Sequence, residues 1–139
     1  MKKVNSMPEF KIVSFYRFVS IKNKVKMKKL LDNYIYDKNI KGTILLSNEG
    51  INASLAGKEN EVFAVLKYIK KYLNIRKLNL KINNSDYVPF NRMKVRLKKE
   101  IVSLGQGHIN IKKMTGKFVE AEKWDSLISK ENIKIIDVR

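Results

Sequence analysis

The sequence contains no cysteine and only one histidine, His108. Without a thiol, the chain has no disulfide, no thiolate nucleophile, no persulfide chemistry and no cysteine-based zinc site. A single histidine also excludes a histidine metal cage, and the 13 acidic residues are few and scattered among lysines. We therefore expect this chain to hold no metal and no cofactor.

Long hydrophobic runs are also missing. No apolar stretch approaches the roughly 20 residues that span a bilayer, and the first six residues, MKKVNS, lack the apolar stretch of a signal peptide. These absences predict a cytoplasmic protein with no membrane partner. Hydrophobic residues still make up 44% of the 139, which is enough to close the core of one ordinary domain.

Acidic residues are outnumbered by 30 lysines and arginines, which gives a net charge of +17 and a pI near 10.0. Such a balance favours a phosphate-rich partner, nucleic acid first, although a lysine-rich composition alone would produce part of it. The charge is uneven. Residues 116–139 contain five basic and five acidic side chains, so the whole excess lies in residues 1–115. This shift is typical of a domain boundary.

The spacing of hydrophobic residues predicts the strands and helices. Residues 10–19 are dense in β-branched and aromatic side chains and predict a central strand, and residues 25–35 have helical spacing. Two short strands around Asn48-Glu49-Gly50 predict a hairpin within residues 42–55. A second helix at 62–73 and a strand at 78–82 complete the order β-α-β-β-α-β. This order predicts an α+β, ferredoxin-like (acylphosphatase-like) fold.

The remaining residues suggest further divisions. Residues 83–86 read as a loop, so the first domain is predicted to span 1–89, followed by a basic strand and arm at 90–115. Within 116–139, residues 119–129 suit a short helix that buries Trp124, Leu127 and Ile128, and residues 133–138 suit a buried strand.

Residues 93–98, MKVRLK, alternate strictly between apolar and basic side chains. On a strand, Lys94, Arg96 and Lys98 would project from one face at intervals of roughly 6.7 Å, a row that a phosphate backbone could follow. The alternative is an edge strand whose lysines only discourage aggregation. Arg17, Lys41 and Arg92 would widen this basic surface, and the aromatic residues Tyr16, Tyr87 and Phe90 could stack bases on it.

The hairpin turn invites a catalytic interpretation of Glu49 and Asn52. A lone carboxylate with no second acid, histidine or metal is a poor general base. Turn chemistry explains Asn48, Glu49 and Gly50 without it, because Asn and Gly tolerate a positive φ. His108, in a glycine-flanked loop, is expected to be exposed.

Four segments together resemble one family: KGTILLSNEGINASLAG (41–57), NRMKVRLKKEIVSLG (91–105), GKFVEAEKWDSLI (116–128) and IIDVR (135–139). The family is the rhodanese-like tRNA uridine hydroxylases, oxidoreductases that form 5-hydroxyuridine at the wobble position with molecular oxygen. The resemblance implies a ferredoxin-like domain followed by a rhodanese domain with the catalytic cysteine. Residues 116–139 would then be the start of that second domain.

The resemblance and the charge together predict a tRNA-binding N-terminal domain that positions the anticodon arm, without a catalytic residue of its own. Its partners would be tRNA and its own C-terminal rhodanese domain. Two alternatives stay open: a small acylphosphatase-like hydrolase, and a non-catalytic docking domain for the rhodanese partner. The positions that match the family are Glu49, Gly50 and Asn52 in the turn, and Arg92, Lys94, Arg96, Lys98, Lys99 and Glu100 in the basic segment.

Overall fold

The computed structural model describes residues 9–101, 116–117 and 119–137. The chain divides into two compact units, residues 1–104 and 105–139. The predicted loop around His108 and the end of the predicted strand at 133–138 lie outside the described residues.

The first unit contains a five-stranded sheet and two helices. Its strand order is β4-β1-β3-β2-β5. Strands β2 and β5 are parallel, and the other neighbouring pairs are antiparallel. The first four strands and two helices follow the order β-α-β-β-α-β, which confirms the ferredoxin-like α+β prediction, and β5 extends the sheet beside β2. In chain order the elements are β1 (Phe10–Phe18), α1 (Lys24–Ile35), β2 (Lys41–Leu46), β3 (Gly50–Gly57), α2 (Glu59–Tyr72), β4 (Lys81–Ser85) and β5 (Met93–Leu97).

The core lies between one face of the sheet and both helices. Val13 of β1 is opposite Leu55 of β3, and both side chains are completely buried. They belong to one apolar cluster with Leu31 of α1 and Val65 of α2. Because side chains alternate along a strand, the intervening residues point to the opposite face of the sheet.

Local chemistry explains where the helices begin and end. Asn23 precedes α1, and its side-chain oxygen accepts a hydrogen bond from the Lys26 amide at 2.8 Å, which satisfies one free N–H of the first turn. Helix α2 ends at Tyr72, and two residues beyond it Asn74 has a positive φ of 51°. The Ile75 amide donates to the Lys70 carbonyl at 2.9 Å, as in a Schellman motif.

The fourth strand is displaced from its predicted position. The sequence predicts a strand at 78–82 and a loop at 83–86, but β4 is Lys81–Ser85, so the loop prediction is wrong for residues 83–85. These polar residues form a strand because β1 pairs with them, with Phe10 opposite Ser85 and Val13 opposite Ile82. Tertiary pairing overrides the weak strand propensity of asparagine here.

The second unit contains a 3₁₀ turn, Ala121–Lys123, and a short helix α3, Trp124–Ile128. The short helix was predicted, but Trp124 and Ile128 are exposed and Leu127 is half-buried, so the predicted burial is wrong. Residues 133–137 form no strand, and Ile135 and Ile136 are exposed. Within the described part of this unit, no strand pairs with them to cover their side chains.

A membrane-spanning helix is not found in the described part of the chain, where no helix is both long and apolar enough.

Candidate nucleic-acid interface

Both helices of the first unit pack on one side of the sheet, and the strand residues that point to the other side form what we term the open face. The pairing register assigns the members of this face. They are mostly polar or basic, unlike the core side. The open face comprises Phe10, Ile12, Ser14, Tyr16 and Phe18 of β1, Lys41, Thr43 and Leu45 of β2, Asn52, Ser54 and Ala56 of β3, Lys81, Asn83 and Ser85 of β4, and Lys94 and Arg96 of β5.

One row of directly opposed residues crosses all five strands of the open face. In spatial order it is Lys81, Ser14, Ser54, Thr43 and Lys94. The two serine hydroxyls are 2.7 Å apart and hydrogen bonded. Strands lie about 4.8 Å apart, so the backbones of the two lysines are separated by roughly 19 Å. The row therefore presents hydroxyl groups between two cationic ends.

The next row along the strands carries the aromatic group of this face. It consists of Tyr16, Asn52, Leu45 and Arg96. The Tyr16 side chain is 67% exposed, and its ring meets Phe18 edge-on, with ring centroids 6.1 Å apart. A flat exposed ring next to an amide, with a guanidinium further along the same row, is a suitable surface for a nucleobase.

Strand β5 forms the basic edge of the sheet. Lys94 lies between Arg92 and Arg96, and the positive charge of Arg92 lowers the Lys94 pKa, with further lowering from burial and from Arg96. Lys41 is close to this edge, because the neighbouring Gly42 amide donates to the Arg92 carbonyl at 3.1 Å. The predicted basic residues 92, 94, 96 and 41 are thus brought together, and their mutual repulsion would be relieved by an anion.

The basic segment continues beyond β5 with its backbone held in place. The Lys98 amide donates to the Leu46 carbonyl at 2.7 Å, and the Lys98 carbonyl accepts from the Lys24 side-chain nitrogen at 2.7 Å. The side chains of Lys98 and Lys99 are exposed. The cationic row of β5 therefore runs on into residues 98–99.

The hairpin turn between β2 and β3 is a junction of hydrogen bonds. The Val19 and Ile21 amides, in the connection from β1 to α1, donate to the carbonyls of Glu49 and Asn48, both at 2.9 Å. The Glu49 carboxylate accepts from the Ile101 amide at 2.6 Å. Glu49 therefore ties the segment after β5 to the turn.

Gly50 has a steric reason to be glycine. A Cβ at this position would lie 2.5 Å from the Arg17 carbonyl oxygen, closer than real Cβ contacts allow. Asn52, two residues on, is exposed on the open face. Of the three family-motif residues, Glu49 and Gly50 therefore belong to the hairpin turn, whereas Asn52 lies on the surface of the sheet.

Arg17 is not part of the open face. It is opposite Ile51, a core residue, so its side chain leaves the sheet on the helix side. There it lines a polar cleft of about 380 Å³ with Arg76 and Lys77. The sequence groups Arg17 with the cations of β5, but the structure places its side chain on the other side of the sheet.

The other two aromatic candidates lie in the connection from β4 to β5. Tyr87 is exposed and Phe90 is half-buried. The Tyr87 amide donates to the Ser85 hydroxyl at 3.2 Å, which fixes the start of this connection. Neither residue belongs to the strand rows that contain Tyr16.

Several open-face residues were not identified from the sequence as site residues: Lys81, Ser14, Ser54 and Thr43. Lys81 could have been predicted as a surface residue of a strand, because it alternates with Leu80 and Ile82. No sequence pattern marks the serine and threonine positions, because only the strand register aligns them into a row.

The open face of the described residues carries groups suited to binding an anionic ligand. Among the described residues, no group of three or more His, Asp or Glu side chains is arranged to hold a metal ion. The open face offers cations, hydroxyls, an amide and an aromatic ring. Such groups are suited to binding phosphates and bases.

Comparison with known proteins agrees with the fold. A solved structure of BlrB, a BLUF protein in its dark state, superposes with a TM-score of 0.54 over 66% of this chain and 75% of that chain, at 12% identity. At this identity, the likeness concerns the fold alone.

Sequence comparison identifies closer relatives. A protein of Neorickettsia sennetsu named tRNA uridine(34) hydroxylase is 42% identical over 135 residues, which are 96% of this chain and 48% of that protein. A protein of the same name from Rickettsia bellii is 40% identical over 92% of this chain and 52% of its own length. The chain thus spans about half the length of these curated relatives, and the predicted resemblance to the tRNA uridine hydroxylases is confirmed. The profile of the UPF0176 acylphosphatase-like domain matches residues 10–101, and the chain therefore belongs to the UPF0176 family.

Proposed function

We propose that this chain is the tRNA-binding part of a tRNA uridine hydroxylase, and that its open face and basic β5 edge hold the anticodon arm. The relatives named tRNA uridine(34) hydroxylase supply the substrate class. The activity itself would require a further domain, for which the family resemblance implies a rhodanese domain with the catalytic cysteine; this chain itself contains no cysteine. That domain would also be a docking partner of this one.

The observation that carries the proposal is the crowding of Arg92, Lys94 and Arg96 along β5. The charge of Arg92 lowers the Lys94 pKa, so the positive potential at this edge is not fully compensated within the protein. A strand that only needed protection against aggregation could use one lysine. Three cations in succession, continued by Lys98 and Lys99, are better explained by a phosphate backbone.

The hydrolase alternative is disfavoured by the connection between β1 and α1. An acylphosphatase-like site would use this loop to bind the phosphate of the substrate. Here the Val19 and Ile21 amides donate to the hairpin turn, and the Asn23 side chain caps α1. The loop also contains no arginine.

The test is tRNA affinity measured across a salt series for wild type and for the triple variant Lys94→Ala/Arg96→Ala/Lys98→Ala. A matched control, Lys29→Ala/Lys67→Ala/Lys71→Ala, removes the same charge from exposed positions on the two helices. Each lost phosphate contact should reduce the slope of log affinity against log salt by about 1. We expect a slope reduced by roughly 2 to 3 in the first variant and a nearly unchanged slope in the control.

Equal loss in the two triple variants would mean that only net charge matters, and the assignment to β5 would be wrong. Only weak, non-specific binding of tRNA by the wild type would instead favour the docking alternative. In that case, binding should be sought with the rhodanese partner domain.

A further inference from the structure

We infer that the open face contains a cleft for one unpaired nucleobase, lined by Tyr16, Phe18, Asn52 and Ile101. This inference rests on the proposed function, since it concerns how the same surface would recognise RNA. It adds a direct contact with a base to a surface otherwise argued from phosphate binding alone.

The cleft is a defined concavity at the end of β1. Its volume is about 340 Å³, and residues of β1, β3 and the segment after β5 line it: Tyr16, Arg17, Phe18, Ile51, Asn52 and Ile101. Arg17 therefore borders this cleft as well as the polar one. Such a volume is at the small end of the roughly 300–1,000 Å³ range of ligand sites. It therefore suits one flat ring system with its sugar rather than a helix or a peptide strand.

The walls of the cleft are mainly apolar and include an exposed aromatic ring. Tyr16 is 67% exposed, and the edge-on contact with Phe18 supports one edge of its ring, which leaves a face open for stacking. The Ile101 side chain contributes a further apolar surface. Stacking on an aromatic side chain is tolerant of base identity, because every base has a π-face.

Asn52 supplies a polar group that can bind the edge of a base. Its amide has one acceptor oxygen and two N–H donors, so it can pair with both the carbonyl and the imino or amino groups of a base. It lies directly opposite Tyr16 in the strand register. The ring and the amide thus approach a base from neighbouring positions.

The third wall is held in place by the hairpin turn. The Ile101 amide donates to the Glu49 carboxylate at 2.6 Å, which fixes the backbone of the segment beside the cleft. Glu49 is thus a positioning residue, acting through Ile101. This role accounts for the carboxylate of Glu49 in the hairpin turn.

Cations stand on the same face as the cleft. Arg96 is in the same cross-strand row as Tyr16 and Asn52, separated from them by Leu45. The sugar-phosphate on either side of an inserted base would therefore run toward β5. This direction joins the base cleft to the basic edge of the proposed RNA surface.

The experiment compares two RNA stem-loops that differ only in the loop, one intact and one with abasic loop nucleotides. Both carry the same phosphates. Stacking of one base is worth about tenfold in affinity, so wild type should bind the intact loop about ten times more tightly. Tyr16→Ala should bring this ratio close to one, whereas Tyr16→Phe should preserve it. Tyr36→Ala, at a 93% exposed tyrosine beyond the end of α1, is the matched control and should leave the ratio unchanged.

Asn52→Ala and Glu49→Ala provide independent readouts. The first should alter the order of affinity among stem-loops that differ in one loop base, and the second should lower the intact-to-abasic ratio without changing the salt slope. Circular dichroism of each variant establishes that it is folded.

Two failures can be told apart. If wild type binds both stem-loops equally and with a steep salt slope, the base cleft is wrong and the phosphate-binding function stands. The base cleft is equally wrong if Tyr16→Ala keeps the wild-type ratio. If wild type binds neither RNA, the proposed function and the cleft fail together.

Discussion

Lys94 is a cation of the basic edge whose pKa is shifted by its neighbours. It lies between two arginines along β5, and its pKa is below the ordinary lysine value of 10.5, first because of Arg92, then because of burial and Arg96. A lysine in this position binds a phosphate with an additional gain, since the anion removes a repulsion already present in the free protein.

We predict that Arg92→Gln raises the Lys94 pKa toward 10.5 and that RNA binding to the wild type raises it as well. The measurement is an NMR titration of the Lys94 side chain. Because the folded-state pKa is lowered, the folded protein binds fewer protons than the unfolded chain between the two values. Stability should therefore increase as the pH rises through the lowered pKa toward 10.5, and this increase should be smaller in Arg92→Gln. An unchanged Lys94 titration in the variant would contradict the assigned cause.

The residues of the turn show what a single sequence can and cannot reveal. Asn48, Glu49 and Gly50 predicted a hairpin correctly, because their conformational preferences are local. The bond from the Ile101 amide to Glu49 joins positions 52 residues apart in the chain. No local pattern encodes such a contact, so the positioning role of Glu49 could not be predicted from the sequence.

At the scale of elements, β5 is the strand that converts a ferredoxin-like sheet into a candidate binding surface. It is parallel to β2, with Val95 opposite Ile44. Val95 is only 8% exposed, so it fixes the strand to the core while Lys94 and Arg96 face outward. The alternating pattern of residues 93–98 predicted this division of faces.

Val95→Ala should destabilise the first unit by about 2 kcal/mol, because it removes buried methyl groups and leaves a cavity. Leu97→Ala is the matched control on the same strand and the same face. Since Leu97 is 39% exposed, we expect a clearly smaller loss despite the larger side chain removed. Urea unfolding monitored by circular dichroism measures both. A greater loss for Leu97→Ala would show that the packing of β5 differs from that described.

Strand β4 illustrates the limit of periodicity for an element. The apolar residues Leu78 and Leu80 mark the approach to the sheet, and the polar residues Asn83 and Asn84 form the strand itself. Apolar side chains indicate which residues are buried, and here the buried residues come before the first residue of the strand. Strand pairing is decided by the neighbouring backbone of β1, which is invisible to periodicity.

At the scale of the whole molecule, the net charge of +17 lies entirely in residues 1–115, and residues 116–139 are neutral. This division is close to the boundary between the two units, at residues 104 and 105. The charge distribution thus changes about a dozen residues away from the change of unit. It did not anticipate that Trp124, Ile135 and Ile136 of the second unit are exposed, since sequence patterns identify apolar residues but not the partners that cover them.

Trp124 offers a direct check of that exposure. It is the one tryptophan of the chain and is 47% exposed. We predict an emission spectrum typical of a solvent-exposed indole, with acrylamide quenching of the same order as that of free N-acetyltryptophanamide. Trp124→Phe abolishes the signal and serves as the control for assignment. A blue-shifted, poorly quenched emission would contradict the exposed position of α3.

The hairpin turn is a poor place to add residues to the chain. Its carbonyls and carboxylate receive hydrogen bonds from the β1–α1 connection and from Ile101, and Gly50 packs against the backbone of β1. An inserted residue between Ser47 and Gly50 would displace all of these partners at once. By contrast, the connection after α1 has the fully solvated Tyr36 at its start, and loops of this kind accept added residues at small entropic cost. A reporter peptide or an affinity tag is therefore better inserted after Tyr36 than in the hairpin.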